Sequence, residues 1–102
     1  MYQITFFVPE AHVEAVKEAL FAKGAGSYNH YRRCSWQVLG TGQFEPLAGS
    51  KPFIGATDQL EIVKEYRVEM ICRDEILRAV LAELVRVHPY EVPAYYAVKI
   101  KL

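Results

Sequence analysis

Tyr2, Ile4, Phe6 and Val8 alternate with Gln3, Thr5 and Phe7. A period of two predicts a strand, and Phe7 implies that its second face is also partly covered. Pro9 lacks the amide that a ladder needs, so the strand stops there. Glu10 and Glu14 then place negative charge in an early helical turn, where the peptide dipoles favour it. Val13, Val16 and Leu20 recur at helical spacing, with Glu14, Lys17 and Glu18 on the opposite side, so a first amphipathic helix follows. In Lys23-Gly24-Ala25-Gly26, Gly24 supplies a left-handed cap. Ser27 to Tyr31 reads as a loop or strand entry. Cys34, Trp36 and Val38 then alternate with Ser35 and Gln37, a second strand with the first three pointing inward.

Gly40-Thr41-Gly42 interrupts that strand, a pattern that marks a bulge or a close backbone approach. Phe44 to Ile54 contains Pro46, Gly49, Ser50 and Pro52 and reads as a loop. Leu60, Ile62, Tyr66, Val68, Met70 and Cys72 then share one parity, and Glu61, Glu65, Arg67 and Glu69 the other. Lys64 breaks the apolar row, which predicts one long strand bent near Val63-Lys64 or two strands in series. Asp74 is placed to N-cap a second helix. Its core face is Leu77, Val80, Leu81, Leu84 and Val85, and Arg78, Glu83 and Arg86 face water. Pro89 biases His88 away from helical angles and ends the helix. Tyr96, Val98, Ile100 and Leu102 alternate with Ala97, Lys99 and Lys101 in a last strand, whose lysines protect one exposed face or edge.

The predicted order β-α-β-β-α-β is that of an α+β, ferredoxin-like sandwich: an antiparallel sheet with two helices on one face. Its second and fourth strands lie at the edges, where Trp36, Tyr95 and Tyr96 invite pairing with another subunit. The length of 102 residues predicts a single domain spanning all of them, with a core small enough that sharing surface between copies is advantageous. Hydrophobic residues at 52% exclude disorder. Lys and Arg total 12 against 12 Asp and Glu, which leaves no cation excess to displace counterions, so nucleic acid is not expected as a partner. Cys34 and Cys72 fit neither a zinc set nor a disulfide framework. They read as buried free thiols of a reducing compartment. With no signal-peptide pattern and no apolar run of ~20 residues, a soluble cytoplasmic protein without a membrane partner is expected.

Five segments recur in this order in one known family: Gly24-Ala25-Gly26, Cys34-Ser35-Trp36, Gly40 to Pro46, Gly49 to Gly55, and His88-Pro89-Tyr90-Glu91-Val92-Pro93-Ala94-Tyr95. Over nearly its whole length the chain resembles the inserted domain of the Nif-three-like (YqfO-type) proteins. In that family the insert interrupts a larger protein whose flanking halves carry a two-metal site. Those halves are absent from this sequence, so the hydrolase activity they imply is not carried over. The insert resembles the PII-like and CutA-like version of the ferredoxin fold, which implies a homo-oligomer, a trimer above all. The chain departs from the family at Val92 and Tyr96, where relatives often carry acids, which weakens any acidic ligand cluster.

His88 and Glu91 are candidates for a divalent metal, copper or zinc, since imidazole and carboxylate suit these ions. Alternatively His88 satisfies helix-end carbonyls while Tyr90 and Glu91 fix the corner. Gly40 and Gly42 let a backbone approach a small ligand, or simply form the bulge. Ser50 and Lys51 offer that ligand a hydroxyl and a cation, or are solvated. The PII-like resemblance implies small effectors held between subunits, which favours the ligand reading. Glu61, Glu65 and Glu69 read as the wet side of a sheet. Cys34 with His30 suggests a thiol nucleophile, but the inward parity of Cys34 argues against it. No GxSxG, HExxH or P-loop is present, and no catalytic residue is assigned. The expected function is a non-enzymatic, oligomeric sensory or ligand-binding module. The alternatives are a structural protein–protein interaction domain and, less favoured, a metal-dependent hydrolase by family analogy.

Overall fold

The computed structural model describes residues 1–102. In chain order its elements are β1 (Tyr2–Pro9), α1 (Val13–Ala22), β2 (Trp36–Phe44), β3 (Glu61–Cys72), α2 (Leu77–Val87) and β4 (Tyr95–Lys99). Short 3-10 turns at Glu10–His12 and Asp74–Ile76 lead into the two helices. The sheet order is β2-β3-β1-β4 with every neighbouring pair antiparallel. This is the ferredoxin-like arrangement, with β2 and β4 at the edges as expected.

Ile4, Phe6 and Val8 on β1 and Val68, Met70 and Cys72 on β3 meet Val13, Val16 and Leu20 of α1 and Val80 and Leu84 of α2. Burying each such side chain contributes roughly 1.5–3 kcal/mol. The alternation on β1 and the 3.6-residue spacing on both helices follow from this one-sided burial. Gly24 takes the left-handed conformation that closes α1, with φ 102° and its amide bonded to the Phe21 carbonyl at 2.9 Å. At Gly26 a Cβ would lie 2.8 Å from the Cys34 carbonyl oxygen, so the backbone itself fills the space a side chain needs.

Several expectations are corrected. β2 runs unbroken through Gly40-Thr41-Gly42, each residue paired with one on β3 from Trp36↔Glu69 to Phe44↔Glu61, so there is no bulge. β3 is one continuous strand. Its end near Leu60 and Ile62 extends past Pro9↔Glu65, where its pairing with β1 stops. Beyond that point it pairs only with β2, and both side chains are exposed. Asp74 does not cap α2. Its carboxylate binds the Lys99 ammonium across the sheet end instead, which pulls its pKa below the usual carboxylate value. On α2, Val85 is exposed and Val87 takes its place against the core. Cys72 is buried, but Cys34 is only half-buried.

The largest correction concerns the edge strands. Ala97 lies opposite the core residue Ile4, and Tyr96 opposite Thr5. Gln37 lies opposite the core residue Val68 and accepts from the Lys17 ammonium of α1 at 2.9 Å. Paired residues share a face. Gln37 and Ala97 therefore lie beneath the helices, and Trp36, Val38, Tyr96 and Val98 point to the side that no helix covers. Cys34, given the same parity on the sequence, lies just before β2 rather than on an inward face of it.

Candidate functional site

Two segments outside the helices and strands meet at one end of the sheet: the corner His88 to Ala94 and the loop between β2 and β3. The Phe7 amide donates to Ala94 at 3.2 Å, so the corner continues alongside β1 where β4 has ended. The Lys51 amide donates to Glu91 Oε1 at 3.0 Å and folds the loop back onto the corner. Ser50 Oγ bonds the Leu47 carbonyl at 2.7 Å and tightens the loop tip.

His88 is only 6% exposed. Its Nδ1 accepts from the Tyr90 amide at 3.1 Å, and an amide can only donate. Nδ1 therefore carries the lone pair, and Nε2 carries the proton that it donates to the Phe7 carbonyl at 2.7 Å. Burial pushes the imidazole pKa below its ordinary value, and the Phe7 bond and Glu65 charge oppose that only in part. The ring is a neutral strut between α2 and β1. It bonds a carbonyl of β1, not the helix-end carbonyls expected.

This arrangement does not fit copper or zinc at His88 and Glu91. One His88 nitrogen is protonated and the lone pair of the other is taken. Glu91 is turned to the Lys51 amide, and nowhere do three or more His, Cys, Asp or Glu side chains converge.

Tyr90 Oη donates to Glu65 Oε2 at 2.7 Å. Burial, and next the carboxylate bond, raise the phenol pKa. Glu65 reaches this position because Gly42 has no side chain: a Cβ there would lie 1.9 Å from Glu65 Oε1. Gly40 faces no such demand, its nearest neighbour to a Cβ being the Glu65 carbonyl at 4.0 Å. The glycine pattern thus records room for a carboxylate rather than a distortion of the strand. Glu65 reads on the sequence as a wet-face acid, and its place in the site comes only from this contact. The available signal was two glycines on a strand at the parity of a carboxylate that a neighbouring tyrosine can bind.

Gly42→Ala and Tyr90→Phe therefore remove the same bond by different routes. Each is expected to cost about 1–3 kcal/mol, the range for losing a hydrogen bond to a charged group. The double variant should lose much less than the two costs added, because the shared bond is lost only once. Urea melts of the four proteins measure this.

The candidate ligand residues fall into two places. Gly40 and Gly42, with Phe7, Val38, Glu65 and Arg67, border an open hollow of about 320 Å³ on the helix-free face. Arg67 there pairs with Glu69 at 3.0 Å. Ser50 instead lines a separate hollow beside the corner, with Phe44, Phe53, Tyr90 and Glu91. Lys51 is tied to that corner by its backbone.

No family model matches the chain. It is 41% identical over 95 residues to the GTP cyclohydrolase 1 type 2 homolog of Halalkalibacterium halodurans, covering 93% of this chain and 26% of that protein. The protein of the same name from Mycobacterium leprae is 45% identical over 89 residues, covering 87% and 23%. Among solved structures, a Bacillus cereus protein related to NIF3 superposes with a TM-score of 0.80 at 38% identity, over 94% of this chain and 24% of that one. The periplasmic divalent cation tolerance protein CutA of Archaeoglobus fulgidus superposes with a TM-score of 0.70 at 19% identity, over 100% and 86%. The CutA likeness shows the fold alone. The chain thus spans about a quarter of the length of the curated relatives it matches.

Proposed function

We propose, for a chain that is a version of the PII/CutA-like segment of the NIF3-related family, that it is a self-associating, non-catalytic module that holds a small effector where copies meet. The observation that carries this is the helix-free face of the sheet. Trp36 is 60% exposed, Val38 44%, Tyr96 47% and Val98 51%, and the strand register puts all four on that one side. Apolar side chains gathered on a uncovered sheet face favour association, and edge strands on either side let copies continue the sheet. The CutA-like fold supports a homo-oligomer, with a trimer as the specific form proposed.

The hollow beside Gly40, Gly42 and Arg67 lies on the same face, so a second copy would roof it and turn an open surface into a cleft. The non-catalytic reading rests on the corner itself. His88, Tyr90 and Glu65 are bonded to one another or to the backbone, and serve position rather than proton transfer. No helix is long and apolar enough to cross a membrane, and the module is proposed to work in the cytoplasm, where Cys34 and Cys72 stay reduced.

Calorimetric titration with nucleotides and small carboxylic acids tests the effector part. A saturable heat that Arg67→Ala removes is the expected result. No heat from any of them would reduce the proposal to its alternative, an interaction domain without a ligand.

A further inference from the structure

The hollow beside the corner has a chemistry that self-association does not explain. Phe44 ends β2, Phe53 comes from the loop that follows, and Tyr90 from the corner. The three rings line a space of about 140 Å³ with Glu91. Phe44 and Tyr90 meet edge to face, with centroids 5.8 Å apart at 62°. Phe53 lies 6.5 Å from Tyr90, and its position is braced by the His12 ring, 5.3 Å away and nearly perpendicular at 87°.

The faces of such rings are electron-rich and attract cations. Tyr90 is enriched further, because its hydroxyl donates to the Glu65 carboxylate. None of the chain's own cations uses these rings: its cation–ring contacts are Arg33 on Phe21 and Lys99 on Tyr2. Glu91 gives one oxygen to the Lys51 amide, and its other oxygen has no partner in the chain. The hollow therefore has aromatic walls, a carboxylate at the rim and no Lys or Arg among its lining residues.

We infer that this hollow binds the head of a small organic ammonium ion whose nitrogen is methylated. A bare ammonium gives up hydration at each N–H that it turns toward the rings, whereas methyl groups bury against rings without needing acceptors. A metal ion lacks donors here, and an anion meets Glu91. The volume suits a head group of a few heavy atoms. All of its lining residues come from one protomer, so its test reads those residues directly rather than the oligomeric state.

Choline chloride is the probe, titrated into isotopically labelled protein and followed by amide chemical shifts against sodium chloride at equal ionic strength. The neutral isostere 3,3-dimethylbutan-1-ol, the same shape without charge, is the control. Choline should shift the amides of Lys51, Phe53 and Glu91 with a dissociation constant on the order of 1 mM. The isostere should bind about tenfold more weakly. Glu91→Gln and Phe53→Leu should each weaken choline about three- to tenfold. Should Phe53→Leu unsettle the loop, the spectrum will show it, and Glu91→Gln, an exposed position, carries the test alone. Equal binding of choline and the isostere would mean an apolar slot without charge recognition. That result, or no saturable shift with choline, overturns the inference.

Discussion

Trp36→Lys is expected to leave the chain folded and to weaken the proposed self-association about thirtyfold or more. Trp36 is the largest exposed apolar side chain on the helix-free face and stands on an edge strand. A buried tryptophan at the centre of an interface typically carries at least ~2 kcal/mol of binding, and about 1.4 kcal/mol is tenfold in affinity. Lysine adds the cost of desolvating a charge between subunits. The fold itself should tolerate the change. Trp36 packs on no helix, and a lysine there stands opposite Glu69 in the ladder, a favourable cross-strand pair. Sedimentation velocity reads the assembly, and a melt of the same sample reads the fold. Trp36→Phe, which keeps an aromatic ring, should retain most of the association. Unchanged assembly in Trp36→Lys would remove this face from the interface.

His88→Ala is expected to cost about 2–4 kcal/mol. The substitution opens a cavity at a buried position and leaves the Phe7 carbonyl and the Tyr90 amide without partners. Against the ~5–15 kcal/mol of a typical domain, that is a large fraction. The same residue predicts a dependence on pH. The folded state holds the neutral ring with a lowered pKa, so the unfolded chain takes up the proton more readily. Stability from this group is complete above the ordinary imidazole value of about 6.5 and declines as pH falls below it. Protonation would also turn Nδ1 from acceptor into donor against the Tyr90 amide. Urea melts from pH 8 to pH 5 should show wild type losing stability on the acid side, with a smaller loss in His88→Ala. Parallel curves for the two proteins would mean that His88 is not the titrating strut.

Where burial falls on one side of an element, the sequence declares it. β1, α1 and most of α2 are legible because helix and sheet each hide a single stripe, and the order of these elements suffices for the topology. The edge strands are not legible in the same way. Alternation says that the two faces of β2 and β4 differ, but both carry apolar groups, and nothing local says which one the helices cover. The register decides it: small Ala97 fits opposite Ile4, and Gln37 reaches Lys17, so the larger Trp36 and Tyr96 must point outward. Leu60 and Ile62 look like core by parity and are exposed only because β1 stops at Pro9. The corner was legible as a helix stop and a stiff turn. Its contacts were not, since Tyr90 meets Glu65 and Lys51 meets Glu91 across long stretches of chain. His88 looked like a ligand because its residue type is versatile, and its burial between α2 and β1 is what commits both nitrogens.

The helix-free face is proposed to join copies of this chain. Sedimentation equilibrium of the wild-type protein at micromolar concentration tests it most directly. A trimer is expected, at three times the chain mass of 11.7 kDa. A single species of 11.7 kDa at every concentration would contradict it.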